Sequence, residues 1–171
     1  MKIELKNVKF SEFASEETNC FTADLYVDGK KIGFCKNDGH GGETWVHNLD
    51  MSTVEKFREV EEYCKTLPGI KFGGALFPSN LENFVDKLFE EWLEEKDKKR
   101  MQKKLERAML KGICIEETDG FALATFKMNG KVIPLANCFK VQPVLEHIKN
   151  FCITEKKKGK KILNTNLPFE I

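Results

Sequence analysis

Residues 21–34, FTADLYVDGKKIGF, decide the fold of this chain. Over 21–27 apolar side chains alternate with mostly polar ones, which indicates a β-strand with one buried face. The pair Asp28-Gly29 follows and suits a two-residue hairpin turn, because both central positions of such a turn take positive φ. Ile32 and Phe34 continue the alternation on the returning strand. The segment therefore predicts a hairpin within an N-terminal β-meander over residues 1–50.

The flanks of this hairpin extend the meander in both directions. Toward the N-terminus the alternation slips by one position near Lys6-Asn7, which predicts a β-bulge or bend in the first strand. Toward the C-terminus a glycine-rich loop comes first, and residues 44–47 are expected to form a short further strand.

Two central helices are predicted over residues 51–112, where apolar residues recur at helical spacing. Capping-box patterns mark their starts, Ser52 with Glu55 and Ser79 with Glu82. Gly112 is expected to end the second helix as its C′ residue. This helix carries the charged run 94–100, so we expect it either to project into solvent there or to break.

Beyond the charged run an apolar stripe resumes at Met101, Leu105 and Met109. An unbroken helix over 80–111 would be roughly 45–50 Å long at about 1.5 Å per residue, which exceeds the width expected of a compact domain of this size. The stripe therefore needs something to pack against, a second lobe or a second subunit. We expect a homo-oligomer.

Strand patterns return over residues 113–171. The pairs Asp119-Gly120 and Asn129-Gly130 predict hairpin turns, and Pro143 opens a short helix. A weak internal repeat relates residues 16–37 to 116–137, either by duplication or by chance similarity of turn chemistry. The whole pattern predicts an α+β fold in which two small antiparallel β-meanders are joined by a central helical hairpin with one long helix.

Composition excludes several function classes. Basic and acidic residues nearly cancel, 28 against 27, so binding to nucleic acid would require a local patch. The chain holds no run of about 18 apolar residues and its start lacks the apolar core of a signal peptide, so we expect no membrane partner and a cytoplasmic location. The six cysteines form no CxxC pair, which predicts reduced, mostly buried thiols, and we expect no cofactor.

The candidate functional site is the loop KNDGHGGETW, residues 36–45. Its glycines allow several backbone N–H groups to point at one anion, and its tryptophan supplies a ring that stacks on a base. The predicted ligand-binding residues are Lys36, Asn37, Asp38, Gly39, His40, Gly41, Gly42 and Trp45. The alternative is a wide loop without a ligand, since the segment matches neither the P-loop nor the dinucleotide fingerprint.

The sequence leaves two enzymatic alternatives. Zinc-ligand residue types lie around the loop in a spacing that matches no known module, so no metal site is predicted, although a metal-dependent hydrolase stays an alternative. These residues are Cys35, Asp38, His40 and His47. For nucleophilic catalysis the chain offers only a spatial pairing of His147 with Cys138 or Cys152.

The basic turn KKKGKK at 156–161, together with the basic half of the long helix, offers a patch that tracks phosphates. A solvated helix face explains the helix charges equally well, because their order, acidic first and basic later, complements the helix dipole. A nucleic-acid-binding accessory protein is therefore a further alternative.

The block EETNCFTADLYVDGKK at 16–31, followed by NDGHGG at 37–42, resembles the opening of small uncharacterised proteins encoded by phages and prophages. The resemblance implies a bacterial host cytoplasm, a role in host takeover or counter-defence, and binding rather than turnover. It implies no catalytic residues. The predicted function is thus a non-enzymatic phage or prophage accessory protein that binds a small anionic, nucleotide-like ligand.

Overall fold

The computed structural model describes residues 1–72 and 74–171, with side chains omitted at 70–72 and at Ala75. The chain divides into two compact units, Met1–Glu94 and Glu95–Ile171. Helices and antiparallel sheets are both present, so the predicted α+β class is confirmed.

The first unit is built on a four-stranded antiparallel meander in the order β1-β2-β3-β4. Its strands are β1 (Ile3–Phe10), β2 (Phe21–Val27), β3 (Lys30–Asn37) and β4 (Trp45–Asn48). Asp28 and Gly29 take φ values of 48° and 84°, as the predicted turn requires. The predicted bulge in β1 is also present, because the register shifts between Lys6 and Lys9 around Asn7, whose φ is 52°.

Two helices cover one face of this sheet. After α1 (Val54–Lys65) come a small hairpin, β5 (Ile70–Phe72) and β6 (Ala75–Phe77), and then α2 (Leu81–Met109). The inward-facing residues of β2 and β3 form the core with Val60 of α1 and with Val85 and Phe89 of α2. The rings of Phe21 and Phe89 stack with centroids 4.0 Å apart. The opposite face of the sheet, which we call the outer face, carries the polar half of the alternation.

The helix starts were predicted at neighbouring but wrong residues. Asp50 caps the chain before α1 instead of Ser52: its carboxylate accepts from the backbone N–H of Ser52 at 2.8 Å, in a capping box with Thr53. Before α2, the side-chain oxygen of Asn80 accepts from the N–H of Asn83 at 2.8 Å. Each segment holds several residues of the types that cap helices, so residue type alone does not single out the capping position.

Helix α2 is unbroken through its charged run, and residues 94–100 are exposed as predicted. It ends at Met109, so Gly112 is not its C′ residue. Gly112 instead begins β7 (Gly112–Glu117), where a Cβ would lie 2.1 Å from the carbonyl oxygen of Ala124 on the neighbouring strand. Close approach of two strands, not helix termination, requires glycine at this position.

The second unit contains two separate two-stranded hairpins and two helices. β7 pairs with β8 (Gly120–Thr125), and β9 (Lys127–Met128) pairs with β10 (Lys131–Val132). The turn at Asn129-Gly130 has the expected positive φ values of 50° and 76°, whereas the other turn is Thr118-Asp119, one residue before the predicted pair. The helices are α3 (Leu135–Cys138) and α4 (Gln142–Lys157), so the helix predicted as short has 16 residues.

Part of the apolar stripe of α2 packs within the second unit. Met109 is buried with Ala108 and Cys114, and Leu105 packs against that cluster, whereas Met101 is 41 % exposed. Burial of Leu105 and Met109 therefore does not require a second subunit, and homo-oligomerisation stays a prediction.

The two copies of the weak repeat differ in local structure. Residues 16–18 belong to the connection before β2, whereas Glu116 and Glu117 are paired in β7. Among the described residues, none of the helices combines the length and apolar character needed to cross a bilayer.

Candidate functional site

Asn37, the last residue of β3, organises the glycine-rich loop from within. Its side-chain oxygen accepts from the Thr18 hydroxyl and from the N–H of Gly39, both at 2.9 Å. Its NH₂ group donates to the carbonyl of Gly42 at 3.1 Å and to the Thr44 hydroxyl at 3.0 Å. A side-chain amide has two donors and two acceptor lone pairs, so all four are used inside the protein. Asn37 therefore shapes the loop and leaves no group for a ligand.

Gly39 joins this loop to the connection between β1 and β2. Its carbonyl accepts from the backbone N–H groups of residues 16, 17 and 18 at 3.0, 3.0 and 3.3 Å. Its φ is +87°, and a Cβ would lie 2.1 Å from the carbonyl oxygen of Ala14. Both the backbone conformation and the close approach require glycine here. The N–H groups that converge in this region thus come from residues 16–18, and a protein carbonyl occupies them.

The donors and charges that were expected to hold an anion are also engaged in the loop. The N–H of Gly41 donates to the Thr18 hydroxyl at 3.3 Å. Lys36 pairs with Asp38 at 2.8 Å, and Nδ1 of His40 lies 3.2 Å from a carboxylate oxygen of Glu16. Both contacts are exposed and therefore weak, so Lys36 and His40 can exchange partners at small cost.

Thr44 ties the loop to helix α2. Its side chain is buried, and its hydroxyl donates to the carboxylate of Asp86. Burial raises the pKa of Asp86 above its ordinary value, the hydrogen bond from Thr44 opposes that rise, and nearby Glu90 and Glu82 add to it. This contact places an acidic group directly behind the loop.

The cavities on the helix side of the loop are consequently acidic. One of about 280 Å³ is lined by Glu17, Asp86 and Glu90 among others. Another of about 690 Å³ shares Asp86 and adds Glu43 and Glu82. Carboxylates in these walls repel an anion, so the helix side of the loop is the less suitable side for the predicted ligand.

The outer face presents the ring that the sequence singled out. Trp45 is 64 % exposed, and Val46 packs toward the core, so Trp45 and His47 both project outward. Trp45 lies opposite Lys36 in the sheet register, and His47 lies opposite Phe34, which is 43 % exposed. The rings of Phe34 and His47 stack with centroids 5.1 Å apart, and that of Trp45 meets His47 edge-on at 6.1 Å. We call Phe34, Trp45 and His47 the aromatic patch.

Phe34 and His47 were not among the predicted ligand-binding residues. The signal that identifies them is the alternation of β3 and β4: positions 34 and 36 share a face, as do 45 and 47. Once Lys36 and Trp45 are assigned outward, their neighbours two residues away on each strand must also project outward.

Basic residues continue across the outer face beside the aromatic patch. A concavity of about 640 Å³ next to Phe34 is lined by Lys9, Thr22, Asp24 and Lys31 among others. Hydrogen bonds from Asn7 and then from Lys31 hold the pKa of Asp24 below its ordinary value. Asp24 is therefore ionised and paired with Lys31 at 2.7 Å, which leaves Lys9 as a basic group along the same wall.

The zinc-ligand residue types around the loop lie on different sides of the sheet. Cys35 is fully buried in the core, and burial raises its pKa to about 12. His47 projects from the outer face, while Asp38 and His40 pair with Lys36 and Glu16. Among residues 1–72 and 74–171, no group of three His, Cys, Asp or Glu side chains is placed to hold a metal ion.

The thiols of the second unit are likewise unsuited to nucleophilic catalysis. Cys138 and Cys152 are buried, and burial raises the pKa of both. His147 is exposed on α4 and meets the ring of Phe126 edge-on, with centroids 6.4 Å apart. Such thiols stay protonated and unreactive at neutral pH.

The basic turn at 156–161 has an internal role. Lys158 and Lys160 pair with the nearly buried carboxylate of Glu155 at 2.7 and 3.2 Å, and their hydrogen bonds lower its pKa. Lys161 pairs with Glu116 at 2.9 Å, and Lys156 donates to the carbonyl of the final residue. Most of this basic charge is thus directed at the protein's own acceptors.

The described residues therefore define an α+β protein whose first unit exposes an aromatic and basic sheet face. Comparison of the chain with protein-family models, with curated proteins and with solved structures finds no match.

Proposed function

We propose that this protein is a non-enzymatic binding protein for a small anionic, nucleotide-like ligand, which it holds at the aromatic patch and Lys36. The observation that carries the proposal is the exposed ring of Trp45 directly across the sheet from Lys36. A flat aromatic surface next to a flexible cation matches the two parts of a nucleotide, a base and a phosphate.

The ion pair of Lys36 with Asp38 is weak enough for a ligand phosphate to replace Asp38. Its pair with Asp38 is exposed on both sides, and an exposed pair contributes only about 0–1 kcal/mol. A phosphate that takes the place of Asp38 keeps the charge pairing of Lys36 and adds stacking on Trp45. The glycine-rich loop then contributes by fixing the start of β4, on which Trp45 lies.

Binding, not turnover, is proposed because five of the six cysteines are buried and only Cys20 is partly exposed. The thiols of Cys35, Cys64 and Cys152 are buried with raised pKa values. The setting that we propose is a bacterial host cytoplasm, where a phage or prophage accessory protein of this kind would act in host takeover or counter-defence. Its support is the resemblance of the N-terminal block.

Thermal-shift and calorimetric titration with adenosine and thymidine monophosphates test the proposal. Binding to the native state alone adds about 2.7 kcal/mol of stability at a ligand concentration of 100 times Kd. Trp45→Ala should weaken binding by about 1–3 kcal/mol, the range for base–aromatic stacking, and should leave the melting temperature nearly unchanged because Trp45 is mostly solvent-exposed.

Phe13→Ala is the matched control, since Phe13 is fully exposed and lies outside the aromatic patch. It should change neither binding nor stability. The proposal fails if neither nucleotide shifts the melting temperature, or if Trp45→Ala binds as tightly as the wild type.

The variant Gly42→Val tests whether the ligand binds to the loop backbone or to the sheet. A Cβ at Gly42 meets no described atom within 4 Å, and its φ is not positive, so this change should leave folding intact. Gly41 is a poorer choice, because its φ of +87° strains any other residue. If Gly42→Val abolishes binding while Trp45→Ala does not, the ligand lies in the loop and the aromatic patch is not its site.

A further inference from the structure

We infer that the ligand of the outer face is single-stranded nucleic acid, which crosses the sheet from β4 toward β1. This inference rests on the proposed function, because it uses the same stacking rings and extends the site beyond one nucleotide. Four observations support it: the sheet register, the distribution of charge, the concavity beside Phe34 and the solvent exposure of the aromatic rings.

The register aligns charged and aromatic residues in a row across all four strands. Trp45 lies opposite Lys36, Lys36 opposite Thr22, and Thr22 opposite Lys9. Neighbouring strands are about 4.7–4.9 Å apart, so the backbone positions of Lys36 and Lys9 are separated by about 10 Å and the whole row spans about 14 Å. Two lysines at this spacing can contact different phosphates of one strand.

A second row runs parallel to the first. His47 lies opposite Phe34, Phe34 opposite Asp24, and Asp24 opposite Lys6. Lys31 neutralises Asp24, and the ammonium of Lys6 lies 4.5 Å from the centroid of the Tyr26 ring on the same face. Aromatic rings are thus concentrated toward β4, and lysines extend toward β1.

The charge of this face differs from that of the cavities behind the loop. Lysines outnumber carboxylates on the outer face, whereas carboxylates outnumber lysines in the cavities on the helix side. A polyanion is attracted to the first surface and repelled from the second. The chain as a whole is nearly neutral, with a net charge of +1, so this attraction is local.

Stacking on the exposed rings of the aromatic patch requires bases that are not stacked on each other in a duplex. Inside a duplex the bases stack on each other and present only their edges, whereas a single strand can place its bases on aromatic side chains of a sheet. The concavity of about 640 Å³ beside Phe34 gives room for a further nucleotide between the aromatic patch and Lys9. Single-stranded DNA and RNA share this chemistry.

Fluorescence anisotropy of the full chain with labelled oligothymidylates and oligouridylates tests the inference. Lengths of about 4, 8 and 16 nucleotides cover the site sizes of single-strand-binding sheets. We expect affinity to rise with length, and Trp45→Ala to weaken binding roughly 5- to 150-fold, the stacking contribution of one base. A preference for either polymer supports the inference and names the ligand.

The salt dependence of oligonucleotide binding tests which lysines contact phosphates. Each phosphate contact with a single strand contributes about 0.7 to the slope of log affinity against log salt concentration. Lys9→Ala and Lys36→Ala should each reduce that slope by about 0.7. Lys87→Ala is the matched control: Lys87 is an exposed lysine of α2, outside the sheet, and its removal should leave the slope unchanged.

The outcomes separate this inference from the proposed function. If thymidine monophosphate binds as tightly as the longest oligonucleotide and Lys9→Ala has no effect, the small-ligand function stands and the polymer inference is overturned. Equal affinity for a duplex of the same length also overturns it, as does unchanged oligonucleotide binding in Trp45→Ala. If neither mononucleotides nor oligonucleotides bind, the proposed function itself fails.

Discussion

Replacing Thr44 by valine isolates the hydrogen bond that ties the glycine-rich loop to helix α2. Thr44 is 1 % exposed, and valine has nearly the same shape, so the change creates almost no cavity. It removes the donor to the Asp86 carboxylate and one of the two acceptors of the Asn37 amide. A hydrogen bond to a charged group contributes about 1.5–3 kcal/mol and a neutral one about 1, so the expected loss of stability is about 2–4 kcal/mol.

Thr44→Ser is the matched control. It keeps the hydroxyl and removes one buried methyl group, for which we expect a loss of about 1 kcal/mol. A loss in Thr44→Val that is no larger than the loss in Thr44→Ser would contradict a hydrogen-bond contribution of the expected size.

The loss in Thr44→Val should depend on pH. The pKa of Asp86 is raised in the folded state, so the native protein binds more protons than the unfolded chain above the ordinary value of 3.8. The free energy of unfolding therefore falls as pH rises through that window. Without the Thr44 hydroxyl the pKa of Asp86 rises further, which makes the fall larger. The valine variant should lose most stability near neutral pH and less as Asp86 becomes protonated.

Urea unfolding of wild type, Thr44→Val and Thr44→Ser across about pH 4–8 measures these differences, and comparison with wild type cancels the other titrating groups. In an Asp86→Asn background the cost of Thr44→Val should become independent of pH. A pH-independent cost in the presence of Asp86 would refute the assigned role of this carboxylate.

Three further predictions concern stability. Gly39→Ala should destabilise by more than about 2 kcal/mol, because it combines positive φ with a backbone clash, while Gly42→Ala should stay within about 0.5 kcal/mol in denaturant titrations. Phe89→Ala should cost about 3–5 kcal/mol because the ring is buried, and Lys99→Ala less than about 0.5; similar small losses at both positions would contradict the assigned core. Glu155→Gln should lower the melting temperature at neutral pH, and this effect should be lost progressively as pH falls from the ordinary carboxyl pKa through the lower folded-state pKa.

The N-terminal meander was predictable because its determinants are local. Asp28-Gly29 specifies a turn in two residues, and the phase slip at Asn7 marks the bulge directly in the pattern. The C-terminal strands were harder to predict from the sequence, since their arrangement depends on partners that are distant along the chain. Ile115, for example, forms a bridge with Ile162, and no local pattern links these two segments.

The candidate loop of residues 36–45 was chosen from the sequence, which did not predict the hydrogen bonds within it. Thr18 and Gly39 contact the same amide of Asn37 although they lie 21 positions apart, and only the folded meander brings them together. The face of Trp45 was also undetermined, because a shift of one residue in register exchanges the two sides of a strand. The structure places Trp45 on the outer face, together with Phe34 and His47, and so brings these two residues into the proposed site.

The shared acceptor at Gly39 couples the opening of two surface loops. The backbone N–H groups of residues 16, 17 and 18 all donate to the carbonyl of Gly39. Local opening of the glycine-rich loop therefore breaks the three hydrogen bonds together. Their hydrogen exchange with solvent should therefore report a common free energy of opening, set by one local unfolding event and not by three separate fluctuations. A segment that lies at the surface and lacks regular strand pairing is in this way protected by a loop about twenty residues further along the chain.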